Sequence, residues 1–99
     1  MIYCFDLDGT LCTNTYGNYD FADPFIERIQ MVNKLYDEGH TIIIDTARGS
    51  ETKIDWFGLT KKQLLQWGVK YHDLHVGKKL HYDIIIDDKA INDKIFFNQ

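Results

Sequence analysis

Three short apolar runs, each closed by an acid, constrain this chain most: "IYCFDL" at 2–7, "HTIIID" at 40–45 and "YDIIID" at 82–87. Continuous apolar runs of this length read as strands buried on both faces, the habit of parallel sheets; a half-solvated antiparallel strand would alternate. Between the first two runs the spacing turns helical. Asp23-Pro24 offers an N-cap followed by proline at the first helical position. Phe25, Ile29, Val32 and Tyr36, flanked by Ile26 and Leu35, then recur at helical spacing up to Gly39, a suitable C-cap. Thr60 is placed to cap a second helix over 61–67, with Leu64, Leu65 and Trp67 inward and Gly68 closing it. "YHDLHV" (71–76) is a further strand interrupted by polar residues, which makes 82–87 the fourth, and a short helix over about 89–96 follows.

Alternating strands and helices imply an α/β fold, a parallel sheet with helices on its faces. Residues 8–22 and 46–58 read as loops. With 99 residues and no repeats or linkers, one domain over 1–99 is expected. Right-handed crossovers bring the carboxyl ends of strands one, two and four to one sheet edge, where open parallel sheets bind ligands. That edge collects Asp6 and Asp8, Asp45 and Thr46, and Asp87 and Asp88. Four or more carboxylates repel one another and raise one another's pKa values unless a cation lies among them. An all-oxygen donor set suits Mg2+ before Zn2+.

Mg2+ is commonly held by one or two carboxylates, water and a substrate phosphate. Phosphoryl oxygens ask for hydroxyl, backbone N–H and cationic donors. Thr46 offers a hydroxyl, the turn at Gly9-Thr10 offers N–H groups, and Lys78 or Lys79 precedes the fourth strand. A carboxylate can itself attack phosphorus, and a second acid two residues on can move the proton. Period-two alternation would put Asp6 and Asp8 on one face if the strand continued through Asp8. Arg48, directly after the second strand, is a candidate to grip a second anionic group of a substrate.

A formal net charge of -4 argues against a basic nucleic-acid-binding face. Cys4 and Cys12 do not make a disulfide framework, and Cys4, inside an apolar run, is expected as a buried, reduced thiol. The apolar runs are far short of a membrane span and Met1 leads straight into a strand, so a cytoplasmic protein without membrane contact is expected. His72 and His75, three apart on a strand, would point to opposite faces and not share a metal.

"DLDGT" after an apolar strand resembles the first motif of the haloacid-dehalogenase-like (HAD) phosphohydrolases. "IIIDTARG", a Lys in "VGKKLHYD" and "DIIIDDKA" resemble the second, third and fourth, in order, from Ile2 to about Asp93. The resemblance implies a three-layer, Rossmann-like (HAD-like) fold with a small, mostly parallel sheet, and a Mg2+-dependent phosphatase. Asp6 would be nucleophile and metal ligand, and Asp8 the general acid/base with its backbone carbonyl on the metal. Thr46 would hydrogen-bond the phosphoryl group, beside Gly9, Thr10, Ala47 and Arg48, and Asp87, with Asp88, would complete the metal site. Counting from the glycine of the third motif picks Lys78; counting back from the fourth picks Lys79.

The intervals between motifs leave no room for the cap domain usual in that superfamily. A capless member has an open site that takes a bulky substrate or borrows a lid from a second subunit of a homo-oligomer. Loops 11–22, with Tyr16, Tyr19 and Phe21, and 47–58, with Arg48, Lys53 and Trp56, would form its rim. "TARG" and "IDDKAI" further resemble small bacterial phosphatases of capsule or polysaccharide biosynthesis, which implies a small sugar phosphate as substrate by analogy. The alternatives are a nucleotide or polynucleotide-end phosphatase, and a non-catalytic phosphate- or Mg2+-binding module on the same scaffold.

Overall fold

The computed structural model describes residues 1–98. Its elements are β1 (Ile2–Phe5), α1 (Ile26–Asp37), β2 (Thr41–Thr46), α2 (Phe57–Gln66), β3 (Asp73–Val76) and α3 (Asp93–Phe97), with a 3-10 turn at Tyr19–Phe21. The strands lie in the order β1-β2-β3, all parallel, with Phe5 opposite Ile44 and Ile44 opposite Leu74. The protein is therefore a small α/β fold, a three-stranded parallel sheet flanked by helices. None of the described helices is long and apolar enough to cross a membrane.

Burial along β2 alternates strictly: Ile42, Ile44 and Thr46 are buried, while Thr41, Ile43 and Asp45 are half-buried. Ile42 and Ile44 join Phe5 and Leu7 in one core cluster with Ile29 and Val32 of α1 and Leu64 of α2. Phe96 and Phe97 of α3 bring their rings to within 5.7 and 6.0 Å of the Phe5 ring. All three helices thus serve the same sheet face. On the opposite face Ile2 is 71% exposed and Cys4 is exposed, so Cys4 is not the buried thiol its apolar run suggested.

The fourth strand is the main correction. Residues 82–87 form no ladder, and Ile84, Ile85 and Ile86 are 79%, 54% and 96% exposed. Composition gives a run the means to be buried, but a strand also needs a partner edge and a covering layer. The described sheet ends at β1. The carboxyl ends that share an edge are therefore those of β1, β2 and β3.

Helix boundaries moved for local reasons. Pro24 forms an antiparallel bridge with Cys12, and the Phe25 N–H donates to the Leu11 carbonyl at 2.8 Å, so α1 begins two residues after the proline. α2 begins at Phe57 with Trp56 at the N-cap position and no side-chain cap, and the Asp55 carboxylate accepts the Phe57 N–H at 2.9 Å. With α2 starting earlier, Thr60 is inside the helix and fully buried, and Leu65, expected inward, is 80% exposed. Asn92 caps α3 through the Lys94 N–H at 3.0 Å, so that helix starts later than position 89.

Gly49, just past β2, has φ +82° and passes so close to the Ile54 carbonyl oxygen that a β-carbon would collide with it. Its own carbonyl accepts the Lys53 N–H at 2.9 Å. Gly49→Ala is expected to cost about 2 kcal/mol through left-handed strain and that clash. Urea unfolding reads this directly, and a loss below about 0.5 kcal/mol would be inconsistent with such a tight turn.

Candidate functional site

β1 ends at Phe5, so the two acids of "FDLDGT" leave the sheet in a turn rather than on a strand. The Leu7 carbonyl accepts the Thr10, Leu11 and Cys12 N–H groups at 3.0, 2.8 and 3.3 Å, and the Gly9 N–H donates to the Cys12 carbonyl at 2.8 Å. Gly9 permits this at φ +86°. The Gly9 and Thr10 N–H groups are thereby used within the turn. Leu7 is fully buried and anchors it.

This turn separates the two carboxylates into different settings. Asp6 Oδ2 accepts the Thr10 hydroxyl at 3.1 Å, and Asp6 Oδ1 faces Lys79 Nζ at 3.0 Å. The Asp6 side chain remains 43% exposed, open to a ligand. Asp8 turns inward, 16% exposed, and meets Arg48 in a bidentate pair, Nε to Oδ2 and Nη2 to Oδ1, both at 2.9 Å. The Thr46 hydroxyl also donates to Asp8 Oδ2 at 3.4 Å. No hydrogen-bond partner is common to Asp6 and Asp8.

Arg48 is 1% exposed. Its Nη1 donates to Thr60 Oγ1 at 3.1 Å and to Gln63 Oε1 at 2.5 Å, and its guanidinium lies 4.6 Å from the centre of the Tyr19 ring. Gln63 Nε2 in turn donates to the Tyr19 carbonyl at 2.6 Å. The guanidinium is thus enclosed by its protein partners and does not reach into solvent. Thr60, Gln63, Tyr19 and Cys12 were not singled out for this role by the sequence. The available signal was Thr60 and Gln63 at i and i+3 beside Leu64, a polar pair on an inward helix face that demands a buried partner.

Of the two candidate lysines, Lys79 reaches Asp6, whereas Lys78 is exposed. Burial works against the charged Lys79 ammonium, but the charge and hydrogen bond of Asp6, aided by Asp45, outweigh it and leave the pKa raised. Asp45 is thus near the Lys79 end of the sheet. Ala47 is exposed beside the same opening, and Thr46 is buried. Asp87 is fully exposed, its carboxyl held below the usual range by the Asp88 side chain and the Lys89 N–H. Among the described residues no group of three or more His, Cys, Asp or Glu side chains converges to hold a metal, so Asp87 and Asp88 do not complete a set with Asp6 and Asp8. Lys79 and Arg48 instead offset much of the acidic charge at this edge.

His72 and His75 act separately: His72 Nδ1 accepts the Ile42 N–H at 3.1 Å, and His75 pairs with Asp73 at 2.9 Å. Asp93 pairs with Arg28 at 2.7 Å, and the same Arg28 Nη1 donates to the Thr10 carbonyl at 3.0 Å, tying α3 and α1 to the acidic turn.

Beside Lys79 opens a cleft of about 420 Å³, bounded by Tyr19, Ala47, Glu51, Trp56 and Tyr82 among others. Trp56 meets the Tyr19 ring edge-on, centroids 5.0 Å apart. The rim residues expected from loops 11–22 and 47–58 thus include two, Tyr19 and Trp56, that line an actual opening.

Behind the acidic turn, burial, followed by repulsion from Asp8, pushes the Cys12 thiol up to about 12. An unfolded thiol ionises near 8.5. The raised value means stability is fully present below that pH and is lost as pH rises towards about 12, because the unfolded chain releases its proton first. Tyr19, raised by burial and then by Asp8, shifts stability in the same direction. Urea unfolding at pH 8 and pH 10.5 is expected to show a clear loss for the wild type and a smaller one for Cys12→Ala. An equal loss would sink the assignment.

No known protein family and no curated protein sequence matches this chain. A crystal structure of a structural-genomics target from Vibrio cholerae is similar, with a TM-score of 0.87 and 27% sequence identity over 99% of this chain and 88% of that one. The likeness supports the α/β fold along its full length and brings no activity with it.

Proposed function

We propose that the protein is a phosphomonoester hydrolase of the HAD-like type, in which Asp6 attacks phosphorus and carries the phosphoryl group as an aspartyl-phosphate. The observation that carries this reading is Asp6 itself. It is a half-exposed carboxylate just past the carboxyl end of a parallel strand, with a hydroxyl on one oxygen and, on the other, the ammonium of Lys79, which lines the cleft. A carboxylate fixed in this way can present an oxygen lone pair in line with a leaving oxygen. Lys79 stabilises negative charge as it builds on the phosphoryl oxygens.

A Mg2+ ion fits this arrangement in a limited form. Such an ion needs only one or two carboxylates when water and substrate phosphate supply the rest, and Asp6 is the accessible one. Asp6 would hold it, and the ion would supply charge neutralisation on phosphate oxygens when bound. Asp8 is the proposed proton donor and acceptor, two residues from the nucleophile. To act, one of its oxygens must exchange a guanidinium partner for the substrate's leaving oxygen.

Hydrolysis of an aryl phosphate with and without Mg2+ tests the reading, and steady turnover of wild-type protein is the expected result. One observation favours a second reading: both Asp8 oxygens are engaged by Arg48. A phosphate-binding module without turnover would look like this. Saturable binding of inorganic phosphate with no hydrolysis at any Mg2+ concentration would select it.

A further inference from the structure

The cleft beside Lys79 has an unusual charge inventory for a phosphate-handling surface. Among the described residues that line it, Lys79 is the only lysine or arginine and Glu51 the only acid. Arg48, the residue best placed in the sequence to grip a second anionic group, is buried on Asp8 and Gln63 instead. Glu51 pairs with His81 at 3.0 Å, so the one histidine of the cleft has an acidic neighbour of its own. One cation therefore serves one anionic group, and a second would find a carboxylate nearby.

Three aromatic residues, Tyr19, Trp56 and Tyr82, stand in the remaining wall, and two of them are held in place. Trp56 is set between the Tyr19 ring and the backbone of Gly49, where a β-carbon on Gly49 would come within 3.2 Å of the indole. Tyr19 is itself fixed by the Arg48 guanidinium. Rigid indole and phenol rings offer flat apolar surface at little entropic cost and suit the face of a sugar or base. A volume of about 420 Å³ accommodates one such ring with its phosphate.

We propose that this cleft binds the body of a phosphomonoester as an uncharged ring against Trp56, its phosphate directed to Lys79, and that Glu51 selects against substrates bearing a second anionic group. The ligand class, though not its binding, rests on the phosphatase reading above. Glu51 is exposed, so its repulsion of a second anionic group is strongest at low ionic strength, where screening is weakest. A sugar monophosphate and a nucleoside monophosphate share this chemistry, and the probes below separate them.

In a Trp67→Phe background Trp56 is the sole tryptophan, since the chain has two. Its emission is followed without added metal as glucose 6-phosphate, fructose 1,6-bisphosphate, AMP and ADP are titrated at low ionic strength. The expected result is a change in Trp56 emission with at least one monophosphate binding about tenfold more tightly than the probe that bears an additional phosphate. Glucose 6-phosphate and AMP identify which ring fits better. Glu51→Gln is expected to bring that ratio below about threefold while leaving the monophosphate affinity nearly unchanged. Tighter binding of the bisphosphate or ADP, an unchanged ratio in Glu51→Gln, or inorganic phosphate binding as tightly as either monophosphate would each overturn the proposal. Binding is read without turnover, so selective binding by a protein that hydrolyses nothing keeps the cleft assignment and removes the phosphatase. Turnover without Trp56 response removes the cleft assignment alone.

Discussion

Asp6→Asn is expected to lower phosphomonoester turnover by at least about a thousandfold, the scale seen when a nucleophile is removed from a preorganised site. The substitution keeps shape and one hydrogen-bonding oxygen but removes the anionic oxygen that would bond to phosphorus. It also takes the charge partner from Lys79, 3.0 Å away. Because Asp6 is 43% exposed, the protein should remain folded, with an unfolding midpoint close to wild type. That combination, lost turnover with stability retained, distinguishes a chemical role from a structural one. Phosphate trapped from a labelled substrate after acid quench should appear in the wild type and not in the variant. Equal rates for the two proteins would remove the covalent mechanism.

Arg48→Ala should do the reverse, striking the fold first. Its guanidinium is fully buried, and four side chains or rings depend on it: Asp8, Thr60, Gln63 and Tyr19. Deleting one partner of a buried pair leaves the other charge without compensation, which costs about 3–5 kcal/mol. Small domains hold only about 5–15 kcal/mol in total. Urea unfolding of Arg48→Ala is therefore expected to show most of the stability gone. Adding Asp8→Asn to an Arg48→Met background should recover a measurable part, because no carboxylate is then left unpaired. If Arg48→Ala costs less than about 1 kcal/mol, the clamp is not the organiser it is taken to be. Where the single variant does not fold, the double variant still supplies the comparison.

The two residues show how differently a motif and a fold are read. "DLDGT" placed two acids at a strand end, and both are there, yet nothing local indicated that they would part company. The strand stops at Phe5, Leu7 buries itself, and the turn it anchors sends Asp6 outward and Asp8 inward. Lys78 and Lys79 were equivalent by counting, and only the reach from Gly77 across the strand ends to Asp6 separated them. Thr60 looked like a helix cap, but α2 starts at Phe57 and Thr60 lies inside it.

What the amino-acid order determined unaided was local: apolar runs at 2–7 and 40–45 that contain β1 and most of β2, helical spacing from Phe25 to Tyr36 that matches α1, and an acid-rich segment after the first strand. Each depends on neighbours in the chain, through backbone preference and side-chain period, and those are legible without a third dimension. The partners of charges were decided only by tertiary structure. Arg48 meets Asp8 across 40 positions and Lys79 meets Asp6 across 73. Residues 82–87 show the limit from the other side: their apolarity is plain, but a strand needs an edge to pair with and a layer to bury it, and neither is a property of the run itself.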